Sequence, residues 1–304
     1  MAGSGAPGFP VDGAPRIRVD GVAVATVPAD DRGFLLGDGV FRTVRVEAGR
    51  PWLWSAQMRV LQRDCARIGI DLTPALQQAI ESDSTALAAA DDGILRITVT
   101  RGSGPRGQAP PDVVRPRVVV SFTPVDPPAF TTEPATLRLC RTPLDGARRR
   151  QGSSTPGVCE LVLAAAELAR GTPVFDGLLL DPEGRPVCGT RCNLFLRRGR
   201  RLLTPAVDRC GVAGVVRGEI LGGGIAGLDR LVDGVEEAES TLADLESADE
   251  VLVTNALFGV RGVDAPPGPG WQSRHALAGT GAGDRMPAGG ACRPERRLTP
   301  CGSC

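Results

Sequence analysis

Residues 31–41 read Asp31-Arg32-Gly33-Phe34-Leu35-Leu36-Gly37-Asp38-Gly39-Val40-Phe41, and they run directly into Arg42-Thr43-Val44-Arg45-Val46. The first piece is punctuated by glycine; the second reads as a β run. Upstream, residues 16–25 alternate, with Ile17, Val19 and Val22 apolar, and predict a strand with a turn at Asp20-Gly21. Downstream, Met58, Leu61, Cys65 and Ile68 recur at helical spacing, which predicts an amphipathic helix over 55–70. Pro74 suits the first turn of a second helix, running through about residue 89. Strands over 94–100 and 118–122 complete an α+β pattern, a sheet with helices on one side.

Beyond this lies Thr123-Pro124-Val125-Asp126-Pro127-Pro128, a stiff linker and a domain boundary. A strand over 135–141, a polar insertion over 145–157 and an alanine-rich helix over 160–169 follow. Short strands near 176–181, 192–197 and 200–204 lead to a helix from about 213. A further strand, helix and strand end at Val251-Leu252-Val253-Thr254. Residues 1–15 and 266–304 lack apolar periodicity and are expected to be irregular or disordered. The same expectation covers Cys301-Gly302-Ser303-Cys304 and Cys292, whose spacing would need a fold to become a redox or metal site.

Composition removes several classes of function. Lys+Arg and Asp+Glu are 35 each, and a net charge of zero argues against a nucleic-acid or membrane-surface binder. All 35 of those basic residues are arginine, so the chain has no lysine; it has no tyrosine and one histidine, His275. A Schiff-base lysine, a phenolic acid and a His-activated Ser or Cys nucleophile are therefore missing from the main body. GC-rich coding accounts for most of this bias. No apolar run reaches the roughly 18–20 residues of a membrane span, and the first residues lack the layout of a secretory signal. A cytoplasmic location is expected. Cys65, Cys140 and Cys159 sit in apolar periodic segments and are expected to be core thiols.

Residues 31–41 resemble the opening motif of the class IV aminotransferases, the fold-type IV pyridoxal-phosphate (PLP) enzymes. The resemblance continues at Arg101-Gly102-Ser103-Gly104-Pro105-Arg106-Gly107, at Cys188-Gly189-Thr190-Arg191-Cys192-Asn193-Leu194-Phe195 and at Leu203-Thr204-Pro205. It closes at Cys210-Gly211-Val212-Ala213-Gly214-Val215-Val216-Arg217 and at Ala248-Asp249-Glu250 through Thr254-Asn255. The order is right over about 16–263, and the aminodeoxychorismate lyase-like branch looks nearest. This implies a small α+β domain over 16–123, a linker over 124–130 and a larger α/β domain with a pseudo-barrel over 131–265. Relatives are homodimers, so a dimer is implied too.

What the resemblance implies about the site is mixed. Gly211, Val212, Ala213 and Gly214 open a helix and would cup a cofactor phosphate on backbone N–H groups, with Thr254 and Asn255 as the second part. The family's Schiff-base lysine is matched by Ser154 counting back from Glu160, or by Arg148 counting forward from Leu144-Asp145-Gly146. Neither side chain is a practical aldimine nucleophile. Val60 stands in place of the family's phosphate arginine, and Arg59 is a partial substitute about 100° away round the helix. Cys188 replaces the acid that protonates the pyridine nitrogen. Arg106 and Arg191 match positions near the substrate and would hold a carboxylate bidentately. No metal site is expected, since Cys188 and Cys192 are about 13 Å apart on an extended strand.

The resulting expectation is a degenerate relative that binds a small carboxylate or phosphate ligand, with no cofactor or only weak, non-covalent PLP. The alternative is a PLP-independent lyase or transferase reusing the cavity; the ancestral reaction would convert 4-amino-4-deoxychorismate to 4-aminobenzoate and pyruvate. Two compensating reading-frame slips in a GC-rich gene would also produce the odd segment over 148–158 and the structureless tail. The nucleotide sequence distinguishes that origin.

Overall fold

The computed structural model describes residues 15–125, 134–144, 152–169, 174–225 and 228–265. Arg148, the greater part of the linker and the tail with its cysteines lie outside the described residues.

The first part of the chain is an antiparallel five-stranded sheet in the order β1-β5-β4-β2-β3. Its strands are β1 (Arg16–Val19), β2 (Gly39–Glu47), β3 (Arg50–Pro51), β4 (Gly93–Thr100) and β5 (Arg117–Pro124). Helices α2 (Trp54–Arg67) and α3 (Pro74–Ala88) pack on it. The apolar stripe of α2 buries Leu61 and Cys65 against Val44, Leu95, Ile97 and Phe122, while Met58 and Ile68 are partly buried. Thr73 caps α3, its hydroxyl accepting from the Leu76 N–H at 3.3 Å, with Pro74 in the first turn.

Within the opening motif, residues 32–36 form a short helix, α1 (Arg32–Leu36). Asp31 caps it by accepting from the Gly33 N–H at 2.8 Å, and Gly37 ends it at φ +65°, a left-handed conformation that favours glycine. Asp31 is 1% exposed and also accepts from the Thr100 hydroxyl and the Arg117 guanidinium. Asp38 accepts from Arg32 and Arg101. Burial alone would raise the Asp38 carboxyl, but the bonds from Arg101 and Arg32 outweigh it and hold it below the usual range. These contacts fix where β2 begins.

The second part is an eight-stranded sheet in the order β11-β10-β9-β12-β13-β6-β7-β8, and β8 pairs again with β9. The ring β9-β12-β13-β6-β7-β8 therefore closes through the partners Cys188 and Asn193. Its strands are β6 (Ala135–Leu139), β7 (Asp176–Leu180), β8 (Pro186–Gly189), β9 (Asn193–Arg198), β10 (Arg201–Thr204), β11 (Gly234–Glu237), β12 (Glu250–Asn255) and β13 (Gly259–Ala265). Helices α4 (Cys159–Leu168), α5 (Val215–Leu221) and α6 (Leu242–Glu246) accompany it. Leu178, Leu194, Leu196, Val251 and Val253 are wholly buried in its core.

Cys65 and Cys140 are core thiols, whereas Cys159 is exposed. It lies on the outward side of the first turn of α4, where the apolar composition continues onto the surface at Val162 and Leu163. Among the described residues no helix is long and apolar enough to cross a membrane.

Candidate functional site

The two sheets meet around a cavity of about 450 Å³. One wall comes from the first sheet: Phe41, Arg42 and Thr43 on β2, Arg96 on β4 and Gln57 on α2. The facing wall holds Ser153 and Ser154, the turn from Cys188 to Asn193, the loop at 210–215 and the end of β12 at Thr254 and Asn255.

Ser154 is 7% exposed and lines this cavity, and its carbonyl accepts from the Phe41 N–H at 2.9 Å. Its N–H and the Ser153 hydroxyl approach Asp64 at 3.4 and 3.3 Å. Asp64, on α2, is fully buried and also accepts from Arg42 Nη2 at 2.5 Å and from Arg63. Burial pulls the Arg42 guanidinium down to about 10, with Asp64 opposing that shift, so it stays charged at neutral pH. Sequence reasoning missed this cluster because an arginine inside a β run looks solvent-facing. The available signal was Asp64 itself, a charge on the apolar stripe of α2 between Leu61 and Cys65.

Gly211 takes φ +85°, which favours glycine, and it lines the cavity with Val212 and Gly214. Asn193 clamps the loop: its amide donates to the Val212 carbonyl at 2.6 Å and its oxygen accepts from the Gly214 N–H at 3.1 Å. Ala213 is off the cavity wall, its N–H donating to the Gly152 carbonyl at 2.7 Å. The expected four-residue cup is thus narrower, because two of its N–H groups serve the loop. Thr254 is fully buried, and its hydroxyl has no hydrogen-bond partner among the described residues. Asn255 accepts from the Leu257 and Phe258 N–H groups and donates to the Arg191 carbonyl, which shapes the turn after β12.

The cavity-side thiols of Cys188, Cys192 and Cys210 are held in the protonated form. Cys188 lines the cavity, and burial pushes its thiol well up; Cys210 is pushed up to about 11 by burial and by acidic neighbours. Cys188 and Cys192 lie across a hairpin, not along one extended strand, because Thr190 and Arg191 turn the chain. Cys192 Sγ instead donates to Asp176 at 3.0 Å. Among the described residues no group of three or more His, Cys, Asp or Glu is arranged to hold a metal ion.

Three arginine expectations are corrected or narrowed. Arg59 is off the cavity wall; it is 65% exposed and pairs with Glu219 on α5 at 3.0 Å. Arg106 lies exposed in the loop after β4 and does not reach the cavity of its own chain. Arg191 lines the cavity, but its guanidinium stacks on Phe175 at 4.8 Å and donates to that residue's carbonyl. Arg96, which sequence reasoning passed over, lies over the Phe41 ring at 3.9 Å on the opposite wall.

A two-sheet α+β fold with one cavity between the sheets, its far wall shared by the glycine loop at Gly211 and the Thr254-Asn255 turn, is the fold-type IV architecture. Residues 39–265 match the family Amino-transferase class IV. Aminodeoxychorismate lyase of Vibrio harveyi is 31% identical over 253 residues, 82% of this chain and 91% of that one. The crystal structure of 4-amino-4-deoxychorismate lyase from Pseudomonas aeruginosa superposes with a TM-score of 0.72 at 34% identity, covering 81% of this chain and 90% of the other. The chain belongs to the class IV aminotransferases.

That membership overturns the expectation of no cofactor, or of weak non-covalent PLP alone. The family's enzymes use covalent PLP, and the same fold occurs in a PLP-bound form of an aminotransferase from Mycobacterium tuberculosis, with a TM-score of 0.68 at 17% identity, covering 83% and 89% of the two chains. That expectation rested on the absent lysine together with Val60 and Cys188 at two further ligand positions. In this chain the groups that fit a phosphate are separate from that lysine position: the Gly211 and Val212 loop and the buried Thr254 hydroxyl, which has no partner among the described residues. The cavity fits the phosphate end of PLP, and bound PLP would supply an electron-withdrawing ring.

Proposed function

We propose that this chain is an aminodeoxychorismate lyase-like protein that retains the anion-holding cavity and lacks the amine-dependent proton transfer of its relatives. It binds a small phosphate- or carboxylate-bearing ligand and turns over 4-amino-4-deoxychorismate poorly or not at all. The observation that carries this reading is the wall at Ser153 and Ser154. Ser154 is one of the two positions, with Arg148, at which the resemblance calls for a lysine, and there the chain offers a hydroxymethyl group whose own N–H is directed at Asp64. Serine has no amine, and the buried thiols of Cys188 and Cys210, which are pushed up, and the Arg42 guanidinium, which stays charged, do not replace it as a base in the neutral range.

The test is to supply purified protein with PLP and 4-amino-4-deoxychorismate and to follow pyruvate and 4-aminobenzoate. The expected result is ligand-induced thermal stabilisation without product above the uncatalysed rate. Sustained pyruvate release with PLP overturns the reading; release without PLP favours a lyase that reuses the cavity by another route.

A homodimer is part of the same proposal. Phe34, Leu35 and Leu36 on α1 are exposed, as are Val162 and Leu163 on α4. The two helices lie close together, since a side-chain carbon at Gly37 would stand 3.1 Å from the Gly157 nitrogen. Exposed apolar side chains on two neighbouring helices suit association between copies.

A further inference from the structure

Cys188 on β8 and Cys210 in the loop before α5 both line the cavity, and each is 5% exposed. They share one apolar cluster with Leu144, Leu179, Val187 and Val207. A side-chain carbon at Gly211, the residue directly after Cys210, would stand 3.6 Å from Cys188 Sγ, so this sulfur packs on the backbone that carries the second one. Burial is the main cause of the raised Cys188 thiol, and Cys210 is the first of the neighbouring charges that add to it, as expected of two acidic groups side by side. Neither thiol has a hydrogen-bond partner among the described residues, whereas Cys192 on the same hairpin as Cys188 donates to Asp176. Two neighbouring thiols in an apolar, cavity-facing position have one neutral product that needs no new hydrogen bond, a disulfide. It spans Cα atoms about 4.4–6.8 Å apart, and the cavity beside the loop leaves that loop room to approach β8.

We propose that Cys188 and Cys210 form a reversible disulfide that draws the loop at Gly211 onto β8 and closes that end of the cavity to ligand. The co-reactant is a small-molecule disulfide. The Cys210 thiolate attacks it, forming a mixed disulfide and releasing one small thiol; the Cys188 thiolate then attacks the Cys210 sulfur and expels the second. Two protein thiols lose two protons and two electrons, and the small disulfide is reduced to two thiols. Because both protein thiols are held protonated, the exchange is slow, and the device answers sustained rather than brief oxidation. The closure rests on the reading that the cavity takes a small anionic ligand; the disulfide does not.

The full chain, reduced and freed of reductant, is incubated with 2-hydroxyethyl disulfide, alkylated under denaturing conditions and digested with trypsin. Cys188, Cys192 and Cys210 fall on separate peptides, 171–191, 192–197 and 210–217, because Arg185 is followed by Pro186. Peptides 171–191 and 210–217 are expected to appear joined, lighter than their sum by two hydrogens, and to separate with dithiothreitol. The thermal stabilisation given by PLP should be lost in the oxidised chain, return with dithiothreitol, and persist under oxidant in Cys210→Ala. Cys188 and Cys210 that remain free thiols, that keep the small thiol as a mixed disulfide, or that pair with other cysteines overturn the proposal. A joined pair that leaves the PLP response intact overturns the closure. Reduced wild type with no PLP response overturns the ligand reading and the closure with it, while the peptide map still decides the disulfide.

Discussion

Thr254 carries a hydroxyl that is fully buried and without a partner among the described residues, beside backbone that is otherwise well paired in β12. Leaving such a group unsatisfied costs about 1–3 kcal/mol. Thr254→Val removes the hydroxyl at nearly constant shape, so the variant should be more stable by about 1 kcal/mol in urea unfolding; a variant less stable than wild type would show that the hydroxyl is satisfied in the folded protein. Asp64→Ala is expected to do the reverse. It strands the buried Arg42 guanidinium and should destabilise the protein by about 3–5 kcal/mol, a large part of the roughly 5–15 kcal/mol available to a domain. At this scale the sequence was uneven to read. Gly211 and Thr254 were found through motif order, because glycine at a loop and threonine at a strand end have positional meaning. Arg42 and Asp64 were not, because their roles arise only when β2 and α2 are packed together. Arg59 misled for the same reason: a position near a lost arginine in sequence points elsewhere on a helix.

Helix α4 follows directly from the Ser153 and Ser154 wall, and Glu167 near its end ties it to the segment after β6. The carboxylate accepts from the Thr142 hydroxyl and from the Arg141 and Thr142 N–H groups. The hydrogen bond from the Thr142 hydroxyl, followed by that from the Arg141 N–H, lowers Glu167 from 4.5 to about 2. Its folded pKa lies below its unfolded one. Its contribution is therefore complete above about pH 4.5 and fades as pH falls toward 2. Glu167→Gln should flatten that part of the melting-temperature profile between pH 5 and about pH 2 relative to wild type; a profile that keeps its wild-type slope would remove Glu167 as a contributor. The elements themselves were largely legible, because periodicity marks α2, Pro74 marks the start of α3, and the strands β4, β5, β7 and β9 are rich in branched residues. Strand β8 was missed, since Pro186 at its start and its four-residue length hide it. Strand β13 was missed because Gly259 and Gly262 interrupt the pattern, and the short α1 because Gly33 sits inside its five residues and Gly37 ends it.

The molecule as a whole keeps its cavity at the junction of two independently cored sheets, so the site depends on how those sheets are held together rather than on either alone. Arg45 of β2 reaches across to the Leu257 carbonyl at 2.9 Å, and the Phe41 N–H to Ser154. If the exposed α1 and α4 surface is covered by a second copy, the protein should sediment as a dimer, and Leu35→Asp/Leu163→Asp should sediment as a monomer with its fold retained by circular dichroism. A wild-type monomer at micromolar concentration would refute the dimer. Family order over about residues 16–263 was the clearest signal in the sequence, whereas the cofactor was misjudged because three altered positions, the missing lysine, Val60 and Cys188, were allowed to stand for an entire site. The buried pair of Arg42 and Asp64 also has a consequence for descent. Losing Asp64 alone strands the Arg42 guanidinium in the interior, whereas Asp64 without Arg42 keeps Arg63 and Arg67, so the constraint runs one way through any lineage that keeps this packing. Among descendants and near kin of this chain, Asp64 should not be lost while Arg42 remains, leaving a directional record of substitution between places 22 residues apart.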